Sequence, residues 1–290
     1  MEITVTGSSG FIGTCLIKLL RERFQDSVIT AVDPVEPQIP IEGVQYGQEL
    51  TEGDVIFHLA GSQGIVSSIV DPKIDLELNA GLTIEVMERA KEDAFGRVVL
   101  ASSCSVYGAV EGPAREDQHL FPVSPYGVSK IAAEEYVLAY HRQHGVDGRI
   151  ARIGNAYGPG QKKLVIYDLI KRALEEGAPL HLHGDGSEVR DFVYVEDIAR
   201  ALIMIGFEAE AGGIYNIGSG QPVPLREVAS LIATTVGLNA NAIQTDNVEE
   251  VGKIKVFYPS VERIMALGFK PHWSIGEGIS QTVQWVKQQI

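Results

Sequence analysis

Cysteine is scarce: Cys15 and Cys104 are the only two in 290 residues. That is too few for a disulfide framework, so a reducing compartment is the expected setting. Positive charge is also short. Lysine and arginine number 24 against 38 aspartates and glutamates, for a formal net charge of −14. A polyphosphate partner needs a basic face, so this balance argues against nucleic acid. It leaves room for one pyrophosphate, which a helix N-terminus or a few local arginines can hold. No apolar run approaches the length of a membrane span. Met1-Glu2-Ile3-Thr4-Val5 runs into a glycine-rich turn without the basic start and long apolar stretch of a secretory signal. A cytoplasmic protein with no membrane partner is expected. His181 and His183 alternate along one short strand without further ligands nearby, so no metal site is expected and both are read as cleft or surface residues.

What is present reads as an α/β chain. Short β-branched runs alternate with longer helical stretches, the pattern of a parallel sheet with crossover helices. Strands are expected at Ile3–Thr6, Val28–Val32, Val44–Tyr46, Val55–Leu59, Arg97–Ala101 and Gly148–Ile153. Helices are expected at Phe11–Phe24, Asp75–Lys91 and Val128–His144. This is a Rossmann-type, doubly wound parallel sheet. After Asn155 short strands such as Leu180–His183 mix with helices near Tyr167–Glu176, Glu196–Phe207 and Leu225–Val236. The expected organisation is a sheet domain over 1–154, returning at about 187–218, with a smaller interleaved substrate-binding portion over 155–290. No Pro/Gly/Ser linker divides them, so the two should meet across a cleft.

Thr6-Gly7-Ser8-Ser9-Gly10-Phe11-Ile12-Gly13 stands between the first strand and the first helix. Gly7 permits a tight turn, Gly10 admits a pyrophosphate to the backbone, and Gly13 allows close helix–strand packing. The helix start offers unpaired N–H groups and a positive dipole end. Asp33 closes the second strand about twenty residues later, where a carboxylate can accept from the ribose hydroxyls of adenosine. Its charge would repel a 2′-phosphate, and Pro34 and Val35 beside it offer no compensating cation. NAD is therefore the expected cofactor rather than NADP.

Tyr126 and Lys130 lie four residues apart at the start of a helix, hence on one face. A phenol titrating near ~10 is a poor base at neutral pH. A neighbouring ammonium and a cationic nicotinamide ring would both favour the phenolate. Some twenty residues earlier, Leu100-Ala-Ser-Ser-Cys-Ser-Val-Tyr-Gly108 ends a strand in a hydroxyl-rich loop. Ser103 there could hydrogen-bond the substrate oxygen that gains or loses a proton, completing a Ser103/Tyr126/Lys130 set.

Taken with Asp54-Val-Ile-Phe-His-Leu-Ala-Gly61, Arg152-Ile-Gly-Asn155, Tyr157-Gly-Pro-Gly160, Gly184-Asp-Gly-Ser-Glu-Val-Arg190-Asp191, Val195-Glu-Asp197 and Tyr215-Asn-Ile-Gly-Ser219, the chain resembles the extended short-chain dehydrogenases/reductases. Within them it looks most like the UDP-glucose/UDP-galactose 4-epimerases of the NAD-dependent epimerase/dehydratase family, over nearly its whole length. The resemblance implies that Ser103, Tyr126 and Lys130 are catalytic. It implies that Gly7, Gly10, Phe11, Ile12, Gly13, Asp33, Leu59, Ala60, Gly61 and Asn79 bind NAD together with Tyr126 and Lys130. It implies that Ser103, Asn155 and Arg190 bind a nucleoside-diphosphate sugar, the last two through the diphosphate. A lone guanidinium after a glycine-rich turn suits bidentate phosphate binding, although an ion pair with Asp191 or Asp185 would also occupy it. The helices Asp75–Lys91 and Val128–His144 resemble those through which relatives form homodimers.

Departures sharpen the expectation. The 4,6-dehydratases of this kind carry one or two acids between the hydroxyl residue and Val-Tyr-Gly, where this chain has Cys104 and Ser105. Ordinary dehydration is therefore disfavoured, unless the Cys104 thiol serves in place of an acid. Gln48 stands where relatives place an adenine-facing Asp, and Gln63 where many carry a lysine. Glu249-Glu250-Val251-Gly252-Lys253 replaces an Arg-Pro-Gly-Asp-like segment that grips the nucleotide. The expected function is 4-epimerisation of a UDP-hexose type substrate through a 4-keto intermediate. An NAD(H)-dependent reductase or dehydrogenase, an atypical dehydratase and a non-catalytic NAD sensor are the alternatives.

Overall fold

The computed structural model describes residues 1–290 except 63, 111, 240, 241, 247 and 249–254. Gln63 and the segment Glu249–Lys253 thus lie outside the described residues. Seven strands form one all-parallel sheet. Across it run Ile214–Ile217, Gly148–Ile153, Val98–Ser103, Val55–His58, Glu2–Thr6, Val28–Val32 and Val44–Gly47. The central strands are buried on both faces, which is why Val55–His58 and Val98–Ser103 read as near-continuous apolar runs rather than alternating ones. The edge strand Val44–Gly47 is mostly exposed.

Helices cover both faces. On one, Phe11–Arg23 and Val195–Glu208 bury Leu16, Leu20, Ile198 and Leu202 against Ile3, Val5 and Phe57. On the other, Leu82–Lys91 and Pro125–His144 bury Met87, Ala133 and Val137 against Ile56, Leu100 and Ile150. A separate core lies in the C-terminal part, where Val165–Glu175, Leu225–Val236 and Ile275–Lys287 bring together Ile166, Ile170, Ile232, Ile279 and Val283. Asp197 ties this part to the sheet by accepting the backbone N–H groups of His272 and Trp273, at 2.9 and 3.1 Å. No helix among the described residues is long and apolar enough to cross a membrane.

Two helices differ from the sequence reading at their starts. The stretch expected as one helix from Asp75 begins at Pro72 and passes through a π-helical turn, Glu77–Gly81, before continuing to Lys91. Asp71 caps it by accepting from the Ile74 N–H at 3.0 Å, and Pro72 suits the first position because its missing N–H would be unpaired there. A further helix, Ile65–Val70, precedes it. The catalytic-helix candidate begins at Pro125 rather than Val128, with Ser124 accepting from the Gly127 N–H. Tyr126 therefore lies inside its first turn.

One buried charge pair joins the elements that carry the site. Glu134 and Arg152 are 1% and 3% exposed, and Arg152 reaches the Glu134 carboxylate at 2.7–3.1 Å through Nε and Nη2. Ser102 donates to Glu134 as well, and Arg152 Nη1 donates to the Tyr107 hydroxyl and the Glu116 carbonyl. Tyr107 in turn donates to Asn216. Removing one partner strands the other charge away from water, which costs about 3–5 kcal/mol, whereas apolar replacement of both can be near neutral. Glu134→Leu should lose on the order of that much stability in denaturant unfolding, and Glu134→Leu with Arg152→Met should regain most of it. Equal stability of the single variant and the unaltered chain would contradict this reading.

Candidate active site

The sheet order reverses between Glu2–Thr6 and Val55–His58, so a crevice opens beyond their C-terminal ends. Open α/β sheets bind their ligands at such a switch point. The glycine turn follows the first of these strands and Leu59-Ala60-Gly61 follows the second. Thr6 holds the two together: its Oγ1 accepts from the Ala60 N–H at 3.1 Å and lies 2.8 Å from Nδ1 of the buried His58. Burial, helped by Lys130, pushes the His58 ring down to about 3, so it is neutral. Gly7 has φ +67°, and a Cβ there would lie 2.7 Å from Ala60 N and Leu59 C. At Gly13 a Cβ would fall 2.2 Å from the Gly7 carbonyl oxygen. Any side chain at either position would push the turn apart.

Helix Phe11–Arg23 has Gly10 as its N-cap and no side-chain cap, so its first N–H groups face the crevice. Asp33 lies against the same turn, with Oδ2 accepting from the Ser9 N–H at 3.1 Å and Oδ1 from the Val35 N–H at 2.9 Å. Gln48 is exposed just beyond the strand whose last residue, Gly47, accepts from the Asp33 N–H. Phe11 packs toward Gly160, where a Cβ would sit 3.2 Å from its ring. Four buried polar atoms have no partner among the described residues: Ser8 Oγ, His58 Nε2, Asp75 Oδ1 and Asn79 Oδ1. A dinucleotide fits this cradle on three counts: an uncapped helix start for its pyrophosphate, a carboxylate for its adenosine ribose, and an orphaned acceptor near its nicotinamide end.

Ser103, Tyr126 and Lys130 come together at the end of strand Val98–Ser103. Ser103 Oγ donates to Ser105 Oγ and accepts from the Ser105 N–H, both at 3.1 Å, and is near enough to the Tyr126 hydroxyl to hold its pKa down. Gly127 lets the helix approach the Ser103 loop, since a Cβ there would be 2.8 Å from the Ser105 carbonyl oxygen. Lys130 is buried, donates to the Ala101 carbonyl at 3.1 Å, and has its Nζ 5.9 Å from the Tyr126 ring centre. Burial pulls the ammonium down to about 8, against the pull upward of Asp75 and Glu134. Burial raises the Tyr126 phenol, and the Ser103 hydroxyl works against that rise. Asp75 and Cys104 add to the rise.

Ser103, Asn155 and Arg190 line one cleft of about 200 Å³, together with Ser105, Ser124 and Phe257. Asn155 Nδ2 donates to the Asp191 carbonyl at 3.1 Å. Among the described residues Arg190 pairs with Glu188, at 3.4 Å, rather than with Asp191 or Asp185. Asp191 instead accepts from Ser219 and Gly220, and Asp185 from Ser187. The Cys104 side chain is buried, with Sγ 3.3 Å from the Arg152 carbonyl oxygen, and burial pushes its thiol well above the ordinary range. His181 and His183 are exposed, the latter 2.9 Å from Asp246.

Three residues near the site went unrecognised in the sequence. Glu134 follows Lys130 by four positions, the same step that joins Tyr126 to Lys130, and that spacing could have found it. Ser129 and Asp75 carried no such signal, because their link runs between segments 54 residues apart.

Asp33 gives a direct test of cofactor choice. Asp33→Ala should weaken NAD binding by roughly 10- to 100-fold, the range for losing a hydrogen bond to a charged group, and should narrow the gap to NADP. Titration calorimetry with both dinucleotides checks this. Unchanged NAD affinity and undiminished rejection of NADP would contradict the assignment.

A family model described as the NAD dependent epimerase/dehydratase family matches residues 3–218. A protein of Methanocaldococcus jannaschii named putative UDP-glucose 4-epimerase is 32% identical over 305 residues, covering 98% of each chain. A protein of Streptomyces antibioticus named dTDP-glucose 4,6-dehydratase is 28% identical over 310 residues, covering 99% of this chain and 92% of that one. Among solved structures, MoeE5 in complex with UDP-glucuronic acid and NAD superposes with a TM-score of 0.86 at 31% identity, covering 100% of both chains. With the match spanning the glycine turn, the Ser103 loop, the Tyr126 helix and the strand at Ile214–Ile217, the chain belongs to the NAD-dependent epimerase/dehydratase family of extended short-chain dehydrogenases/reductases, and its cofactor is NAD.

Proposed function

We propose that this chain is a nucleoside-diphosphate-hexose 4-epimerase, with NAD held by the sheet part, residues 1–154, and the sugar nucleotide by the portion after Asn155. Bound NAD supplies a hydride acceptor and, once reduced, a hydride donor. The chain's own groups manage the proton. Tyr126 takes the C4 hydroxyl proton as the 4-keto sugar forms and returns it to the opposite epimer, while Ser103 hydrogen-bonds the same oxygen. Lys130 supports the phenolate and holds the nicotinamide ribose. Asn155 and Arg190 anchor the diphosphate.

The observation that carries the choice of reaction is the lining of the cleft. Its described residues offer hydroxyls at Ser103, Ser105 and Ser124 but no carboxylate, and the Cys104 thiol is turned away toward the Arg152 carbonyl. Eliminating water across C5 and C6 requires an acid and a base there, and neither is supplied. With Arg190 assigned to the diphosphate, no described lining residue offers a charge to a sugar carboxylate, which favours a neutral hexose over a uronate. The Methanocaldococcus relative, named for 4-epimerisation, agrees with this reading.

Purified protein incubated with UDP- and dTDP-hexoses, hexosamines and uronates should convert a neutral hexose to its C4 epimer with no net change in NADH absorbance. Tyr126→Phe should slow that conversion by about 10²–10⁴-fold. Net NADH formation or consumption would move the assignment to a dehydrogenase or reductase. Loss of water would make it a dehydratase.

We further propose that the chain is a homodimer joined through the helices carrying Leu78, Val128 and Tyr136, which are 40%, 52% and 41% exposed. Light scattering at micromolar concentration should return the mass of two chains, and a single-chain mass would remove the proposal.

A further inference from the structure

We propose that Asp75, on the short helix Pro72–Leu76, is a positioning residue for the Tyr126/Lys130 pair, acting as the buried counter-charge of Lys130 and fixing which end of the Asn79 amide faces it. Asp75 is 2% exposed. Its Oδ2 accepts from the Ser129 hydroxyl at 2.6 Å, and its Oδ1 has no partner among the described residues. A carboxylate placed in the interior with a single hydrogen bond weakens a fold rather than supporting it. Its presence therefore calls for a use, and the groups around it supply one.

Ser129 immediately precedes Lys130 and carries one hydroxyl proton. Its oxygen lies 2.6 Å from Asp75 Oδ2 and 2.9 Å from the Tyr126 carbonyl, and the shorter, charge-assisted bond takes the proton. The Ser129 oxygen must then act as acceptor toward Asn79, whose Nδ2 donates at 2.9 Å. That fixes the amide, because its other end, Oδ1, is left as the acceptor facing the corner between Gly61 and Lys130. A Cβ placed on Gly61 would lie 2.6 Å from Asn79 Oδ1 and 3.4 Å from Lys130 Nζ, so both atoms border the same small space. Without Asp75 the serine proton could turn to Tyr126, and nothing would hold Asn79 in this orientation.

The other ionisable groups facing this corner are Tyr126 and Glu134 on the catalytic helix, His58 at the end of its strand, and Cys104 in the loop after Ser103. His58 and Cys104 are neutral there, for the reasons given above. Helix Ile65–Val70, which packs against Asp75, carries no ionisable group, and Asp71, Lys73 and Glu77 beside Asp75 are exposed. Glu134 also pairs with Arg152, so Asp75 is the larger of the two carboxylate influences on Lys130.

The test is made on the cofactor-free protein and does not depend on which sugar is the substrate. Lysine labelled with ¹³C at Cε allows the Lys130 titration to be followed by NMR. In the unaltered chain its midpoint should lie near 8. Removing the negative charge disfavours the ammonium, so Asp75→Asn should lower the midpoint by on the order of one pH unit. Ser129→Ala keeps the charge but breaks the hydrogen-bond chain. It should leave the midpoint in place while weakening NAD binding, because Asn79 is no longer oriented. A midpoint in Asp75→Asn that coincides with the unaltered chain would overturn the proposal. An equal fall in Ser129→Ala would also overturn it, since repacking rather than charge would then be responsible.

Discussion

The site depends on one buried contact, the ion pair of Glu134 with Arg152. Tyr126, Lys130 and Glu134 recur every four residues along one face of one helix, and Arg152 belongs to the strand beside the one that ends at Ser103. Fixing Glu134 to Arg152 therefore fixes the phenol and the ammonium relative to the serine. Ser102 donates to the same carboxylate, so the backbone at Ser103 is tied to the helix as well. Tyr107 and Asn216 extend the network to the last strand of the sheet, where Asn216 donates to the carbonyls of Ala114 and Ser260. The polar interior is costly to desolvate, but every member of this network is satisfied, and a satisfied network holds one arrangement against its alternatives.

Around that clamp the electrostatics are set by burial more than by contact. Burial lifts Tyr126, with Asp75 and Cys104 adding to the rise, and depresses Lys130. Two carboxylates hold the lysine up, and the Ser103 hydroxyl restrains the phenol.

Much of this could be read from the residues. The strands were legible because parallel, doubly covered strands leave continuous apolar runs such as Val55–His58, and the turn at Gly7 because only glycine fits its φ and its contact with Leu59. Tyr126 and Lys130 were legible because a four-residue step places both on one helical face. Helix boundaries were less so. The π-helical turn at Glu77–Gly81 has no periodic signal, and Pro125 and Ser124 cap a helix that apolar spacing alone starts at Val128. The sequence reading paired Arg190 with Asp191 or Asp185, but Asp191 is engaged by Ser219 and Gly220 across the fold and Asp185 by Ser187. Asp75 was invisible as a site residue because its meaning comes from a contact across the fold.

The central claim is that proton chemistry in this cleft is confined to the C4 hydroxyl, through Ser103 and Tyr126, with nothing placed to act at C5. The most direct measurement is to run the conversion of a nucleoside-diphosphate hexose in D₂O and locate carbon-bound deuterium in the product by NMR. The account predicts an epimerised sugar with none at C4 or C5, because the hydrogen on C4 leaves and returns without meeting solvent. Deuterium at C5 would contradict it, since that label requires an acid or base, and the described lining of the cleft offers no carboxylate.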